Sequence, residues 1–195
     1  MGQKAVFIDR DGTINENIGY IDHPDKFHMY PGIAEGIKQL NDLDFDIIII
    51  TNQSAIARNL INEEELSIIH QKMKKELEKT GAKIDKIYYC PHHPDQKCNC
   101  RKPNTGMFEQ AISENDINVH TSYVIGDRML DIEAGHKMGL TTILIPENKA
   151  LIDEEMKVSP ISPNYYCDTF LSAVEWIAKR NQILKSDDKN KHLIF

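Results

Sequence analysis

Five short segments of the chain are dominated by apolar residues: 4–9 (KAVFID), 46–51 (DIIIIT), 84–90 (IDKIYYC), 122–126 (SYVIG) and 141–145 (TTILI). Runs of that length with little polar alternation read as strands buried on both faces, the pattern of a parallel sheet. Between them the apolar positions change period. Ile33, Ile37 and Leu40 share one helical face in a segment that opens at Pro31, a residue suited to a first turn, and extends to about Leu43. Asn62 can cap a second helix, with Glu63, Glu64 and Glu65 at its positive end. Leu66, Ile69, Met73 and Leu77 then form its apolar stripe, and Gly81 ends it. Further helices are expected over 106–114, 130–138 and 170–184. Residues 147–165, with Pro160 and Pro163, read as a surface excursion, and 185–195 as a polar, frayed tail. The alternation of strand and helix predicts an α/β fold, a single domain over 1–195 built on one doubly wound, mainly parallel sheet with helices on both faces.

Composition narrows the class of activity. A length of 195 residues supports one sizeable core. The net charge of −7 argues against generic nucleic-acid binding, which uses basic surfaces. No apolar run approaches the ~20 residues needed to cross a bilayer. The N-terminus enters its first strand almost at once, so the expectation is a cytoplasmic, monomeric protein with a small-molecule partner and no membrane contact.

The cysteines are unevenly placed. Cys90, Cys98 and Cys100 cluster around His92 and His93, while Cys167 stands alone. In a reducing compartment such a cluster points to metal more than to a disulfide. Three thiolates and one imidazole, from His92 or His93, form a zinc set. Four protein ligands close the coordination sphere, so this zinc is expected to be structural, pinning an irregular loop just before Arg101 and Lys102.

The ends of the strands carry the chemistry. In open α/β sheets, ligands bind beyond the carboxyl ends of the strands. The first segment ends in Asp9-Arg10-Asp11-Gly12-Thr13, the second in Thr51-Asn52-Gln53 and the fourth in Gly126-Asp127, with Asp131 one turn later; Lys102 precedes the third helix. Asp9, Asp11, Asp127 and Asp131 would repel one another without a cation, and an all-oxygen set suits Mg²⁺. A carboxylate can attack phosphorus, which makes Asp9 a candidate nucleophile. Asp11 is placed to act as general acid and then general base, and Thr51 and Lys102 to stabilise charge on a transferring phosphoryl group.

These motifs, in this order, resemble those of the haloacid-dehalogenase-type (HAD) phosphatases: DRDGT at 9–13, Thr51, Lys102 and the Gly126-Asp127…Asp131 stretch. Within that superfamily, DRDGTIN at 9–15, Gly19-Tyr20, TNQSAIAR at 51–58 and CRKPNTGM at 100–107 resemble the D-glycero-D-manno-heptose 1,7-bisphosphate 7-phosphatases, close to the histidinol-phosphate phosphatases. Asn15 and residues 54–58 favour the heptose group; Ala55 stands where that group usually has glycine, and the interval from His92 to Cys98 is short, as in the histidinol group. The resemblance implies a capless HAD-like fold with a zinc-pinned loop, and hydrolysis of the 7-phosphate of the heptose bisphosphate through an aspartyl-phosphate. It implies Mg²⁺ held by Asp9, the backbone carbonyl of Asp11 and Asp127, with Asp131 in support, and Zn²⁺ held by Cys90, His92, Cys98 and Cys100. Substrate contacts are expected from Asn15, Gly19, Tyr20, Thr51, Asn52, Gln53, Arg58, Arg101 and Lys102, with Arg101 gripping the distal phosphate. Histidinol phosphate is the alternative substrate, and an inactive phospho-ligand sensor the alternative of another class.

Overall fold

The computed structural model describes residues 2–191. Six strands form one sheet: β1 (Ala5–Ile8), β2 (Asp46–Asn52), β3 (Lys86–Cys90), β4 (Tyr123–Gly126), β5 (Thr141–Leu144) and β6 (Tyr165–Tyr166). Their order is β3-β2-β1-β4-β5-β6, and every pairing is parallel. The order reverses between β1 and β4, the place where doubly wound sheets leave a crevice for a ligand.

Six helices cover the sheet: α1 (Ile33–Asp42), α2 (Glu63–Glu78), α3 (Gly106–Asn115), α4 (Met129–Lys137), α5 (Lys149–Val158) and α6 (Phe170–Lys191). Both faces of the central strands are buried, and their side chains divide by the period of two. Val6, Ile8, Ile47 and Ile49 pack with Ile37 of α1, Ile69 of α2 and Val174 of α6. Ala5, Phe7, Ile48 and Ile50 face the other way, onto Phe108 of α3 and Ala134 of α4. The near-continuous apolar runs are therefore required on two sides at once.

The expected helices are present, with shifted ends. Helix α1 starts at Ile33 because Gly32 holds a left-handed conformation (φ 82°) ahead of it. Helix α2 begins at the Asn62 cap, whose side chain accepts from Glu65 N–H while Glu65 reciprocates. The segment read as a surface excursion contains two elements. Asn148 caps α5, of which only Ile152 is buried, so its amphipathic signal is faint. Strand β6 has two residues, too few for any periodicity to show, and pairs with Ile143 and Leu144. Helix α6 runs on to Lys191, past Leu184, with no Gly or Pro to stop it; residues 192–195 of the expected frayed tail lie outside the described residues.

Candidate active site

The chain turns sharply after β1, and the turn needs glycine. Gly12 has φ 89°, and a Cβ there would lie 2.4 Å from an Asp127 carboxylate oxygen. The same holds at the end of β4, where a Cβ on Gly126 would lie 2.4 Å from the Asp131 side chain. Gly12 thus lets the turn after β1 close on Asp127 at the β1–β4 switch point, and Gly126 lets Asp131 fold back against the end of β4.

Lys102 occupies the centre of the resulting cluster. Its ammonium group donates to Asp9 Oδ1 (2.7 Å) and the Ile50 carbonyl (2.7 Å) and is 2.6 Å from Asp131 Oδ1. Two of its donors are engaged in hydrogen bonds, the Asp131 contact is an ion pair, and the residue is 3% exposed. Paired with two carboxylates, its ammonium is held well above the ordinary lysine range against the cost of burial. Asn52 fixes the loop that presents it, accepting from Lys102 N–H (3.1 Å) and donating to the Lys102 carbonyl (3.2 Å).

One lysine does not balance the acids. Oxygens of Asp9, Asp127 and Asp131 lie within 4.8 Å of one another. Asp127 Oδ1 is buried without a partner. Burial first, then Asp9 and Asp131, push the Asp127 carboxyl up to about 9. Burial likewise raises Asp9 to about 6 despite Lys102. Crowded, dry, like-charged oxygens of this kind fit a hard divalent cation of the Mg²⁺ type.

Asp11 sits beside this cluster and is held differently. Its carboxylate accepts from Arg10 Nε (3.1 Å) and Nη2 (2.8 Å), from Gln53 Nε2 (2.8 Å) and from Asn15 Nδ2 (3.0 Å). Gln53 also donates to Thr51 Oγ1 (2.8 Å) and accepts from Arg10 (3.2 Å).

Most of the residues singled out in the sequence meet here. Asp9, Asp11, Gly19, Thr51, Asn52, Arg101, Lys102 and Asp127 line one cleft of about 170 Å³. Arg101 Nη1 is buried there with no protein partner. Four expected contacts lie outside this lining. Asn15 is completely buried and turned to Asp11, Gln53 sits behind Asp11 and Thr51, and Arg58 lies over the ring of Tyr20 (5.5 Å), both of them beyond the cleft. Ala55 is buried and is not among the residues with positive φ, so its loop does not require glycine.

Sequence reasoning missed Arg10, which is 1% exposed and tied to three side-chain partners, Asp11, Gln53 and His70. It also missed Arg128, which lines the cleft and is held by Glu155 of α5 (Nε to Oε1, 3.0 Å). His70 is buried against Arg10. Its signal was the 66–70–73–77 spacing, which puts it on the apolar stripe of α2.

The second cluster is local. Cys100 Sγ lies 3.1 Å from Cys90 Sγ and 3.3 Å from Cys98 Sγ, and His92 Nδ1 is 3.1 Å from Cys100 Sγ. Tetrahedral zinc–sulfur bonds of about 2.3 Å give ligand–ligand edges of about 3.8 Å, close to this spacing. His93, the other imidazole considered, turns instead to Asp95 (3.2 Å). The four cysteines form no disulfide.

A family model described as HAD-hydrolase-like matches residues 99–173. The D-glycero-beta-D-manno-heptose-1,7-bisphosphate 7-phosphatase of Haemophilus ducreyi is 39% identical over 86% of this chain and 97% of its own. The D-glycero-alpha-D-manno-heptose-1,7-bisphosphate 7-phosphatase of Photorhabdus laumondii is 33% identical over 84% of this chain and 93% of its own. Among solved structures, the D,D-heptose 1,7-bisphosphate phosphatase of B. bronchiseptica, in complex with magnesium and phosphate, superposes with a TM-score of 0.83 at 27% identity, covering 91% of this chain and 99% of the other.

Proposed function

The chain belongs to the heptose-1,7-bisphosphate 7-phosphatase family, with a HAD-like fold, and from that premise we propose that it removes the 7-phosphate of D-glycero-D-manno-heptose 1,7-bisphosphate through an aspartyl-phosphate on Asp9. Relatives named for either anomer lie at comparable distance, so the reading is given for the bisphosphate without an anomer. The names of the relatives do not favour histidinol phosphate.

The observation that carries the mechanism is the shared lysine. Lys102 engages one oxygen of Asp9, which keeps that side chain ionised and leaves Oδ2 to attack phosphorus. As the Asp9–phosphorus bond forms, the bond from phosphorus to the C7 oxygen breaks, and Asp11 gives that oxygen its proton. Asp11 then takes a proton from the water that attacks the aspartyl-phosphate, releasing inorganic phosphate and restoring Asp9. Asp9, the Asp11 backbone carbonyl and Asp127, braced by Asp131, would hold Mg²⁺, which when bound neutralises charge on the phosphoryl oxygens. The Thr51 hydroxyl and Lys102 ammonium add donors at the same place. Arg101, with a buried and unpartnered Nη1 at the cleft, grips the distal phosphate of the bisphosphate. Asn15 and Gln53 act by orienting Asp11, and Asn52 by fixing Lys102. Cys90, His92, Cys98 and Cys100 hold structural Zn²⁺, which orders the loop leading into Arg101.

The test is a comparison of kcat/KM, with Mg²⁺ present, on the heptose bisphosphate and on histidinol phosphate. The bisphosphate is the better substrate in this reading; faster turnover of histidinol phosphate overturns the substrate and leaves the chemistry standing.

A further inference from the structure

A buried guanidinium must find acceptors for its N–H groups, and the acceptors it finds fix where it points. Arg10 lies almost wholly inside the protein. Nε and one edge of Nη2 form a two-point contact with Asp11, and Nη2 also donates to Gln53. These contacts leave Nη1 pointing away from the cleft toward α2, where its partner is His70 Nε2 at 3.2 Å. His70 is itself 7% exposed, on the α2 stripe, with its ring centroid 6.2 Å from that of Tyr89.

The pairing fixes the state of the imidazole. Arg10 has only donors, so His70 Nε2 must accept, and its ring proton must be on Nδ1. Burial first, then the Arg10 charge, hold the imidazole neutral, down to about 3. A neutral ring of fixed tautomer is a stationary acceptor on a rigid helix.

We propose that His70 is a positioning residue for the proton-transfer step: it anchors Arg10 from behind, and Arg10 in turn sets the plane of the Asp11 carboxylate. The inference rests on the acid–base role given to Asp11 above. Asp11 has about four acceptor sites, and Arg10, Gln53 and Asn15 supply four donors. One donor must give way when a substrate oxygen arrives. The neutral amides of Gln53 and Asn15 are the weaker partners, and the charge-assisted two-point contact with Arg10 is the one that persists. Asp11 therefore turns about a fixed Arg10, and what fixes Arg10 on its far side is His70.

The test uses the departing group. An alkyl phosphate such as the heptose bisphosphate, or a simple primary alkyl phosphate, expels a poor alkoxide that needs a proton from Asp11. The p-nitrophenyl ester expels a stable phenolate that does not. Because kcat/KM covers only the steps up to departure of that group, it isolates the acid role. His70→Leu is expected to lower kcat/KM on the alkyl esters by about 10- to 100-fold, part of the factor a general acid supplies. The p-nitrophenyl ester should change by less than about threefold, which also shows that the variant is folded. His70→Gln, which retains an acceptor at similar reach, should restore most of the alkyl activity. Equal losses on both ester classes, or no loss on either, overturn the proposal. Nitrogen NMR of the Mg²⁺-loaded wild-type protein gives a check without turnover: His70 should be neutral with its proton on Nδ1, and a protonated Nε2 at neutral pH overturns it as well. Wild-type protein inert toward all the esters would instead remove the phosphatase reading, and the role of His70 with it.

Discussion

The two titratable clusters of this protein are assembled in opposite ways. The carboxylate cluster draws Asp9 from the end of β1, Lys102 from the loop before α3, and Asp127 and Asp131 from the end of β4 and the start of α4. Lys102 and Asp9 are 93 residues apart in sequence and 2.7 Å apart in space. The cysteine–histidine cluster takes all four ligands from residues 90–100, only Cys90 of which belongs to a strand. The first site is a consequence of the sheet: the same apolar burial that stacks β1, β2 and β4 brings its acids together. The second rests on one irregular loop whose Cys98 and Cys100 are only partly buried against the core, and in the proposed reading a metal would supply the order that packing leaves out. The two sites should therefore respond differently to damage, one losing chemistry while the fold persists, the other losing local structure first.

The largest expected effect probes the first half of that contrast. Lys102→Met removes the only cation among the described residues that touches both Asp9 and Asp131. Activity should fall at least 1,000-fold, on the scale of losing electrostatic transition-state stabilisation. Breaking a buried pair from one side typically costs about 3–5 kcal/mol, so a chemical denaturation curve should show a large loss that added Mg²⁺ does not restore. Loss of activity with unchanged stability would mean that the lysine is not part of the packing of the site.

Metal removal contrasts the two clusters directly. Withdrawing Mg²⁺ should abolish turnover reversibly with little effect on far-ultraviolet circular dichroism. Purified protein should carry about one zinc per chain, as a closed four-ligand site requires. Cys98→Ser should lose that zinc, make the 90–100 loop more susceptible to protease, and lower activity only indirectly. Absence of zinc by elemental analysis would remove the second half of the comparison. Metal uptake should also release protons. Asp127 is held up to about 9, so it retains a proton near neutral pH that a cation displaces, whereas Asp9, raised only to about 6, is mostly ionised there. Calorimetry in buffers of different ionisation enthalpy measures that release, and Mg²⁺ affinity should rise with pH as the carboxyls empty.

Arg101 joins the two regions, following Cys100 directly and lining the cleft beside Asp9 and Lys102. Arg101→Ala should reduce kcat/KM on the bisphosphate about 10- to 100-fold more than on a small monophosphate, the worth of one charge-assisted contact. Equal losses would assign Arg101 to the reacting phosphate or to the loop. The smallest effect is expected at Ala55, buried in a loop that needs no positive φ. Ala55→Gly should destabilise by about 0.4–1 kcal/mol through the unfolded chain and by roughly 0.8 kcal/mol more through the buried methyl it removes, read as a small fall in Tm with unchanged kinetics.

How much of this was legible in the sequence follows the same division. Short buried strands and their acidic ends were readable because apolar runs and the DRDGT, TNQ and GD motifs are local signals. The zinc cluster was readable because its ligands are close in sequence. Helix α5 and strand β6 were not, since one buried residue and a two-residue strand leave almost no periodic trace. Asn15, Asn52 and Gln53 fell in the right motifs, but whether such a side chain meets substrate or braces a neighbour depends on its rotamer, which sequence does not carry. Arg10 was hidden for a related reason: an arginine between two aspartates reads as surface charge until the turn at Gly12 directs it inward.

The central claim is that Asp9 carries the phosphoryl group, and it can be tested by trapping. Protein mixed with phosphate ester and Mg²⁺, quenched in acid, digested and analysed by mass spectrometry should carry a labile phosphate on the peptide containing Asp9, and Asp9→Asn should lose both the label and turnover. Label on any other residue, or turnover retained in Asp9→Asn, would contradict the account.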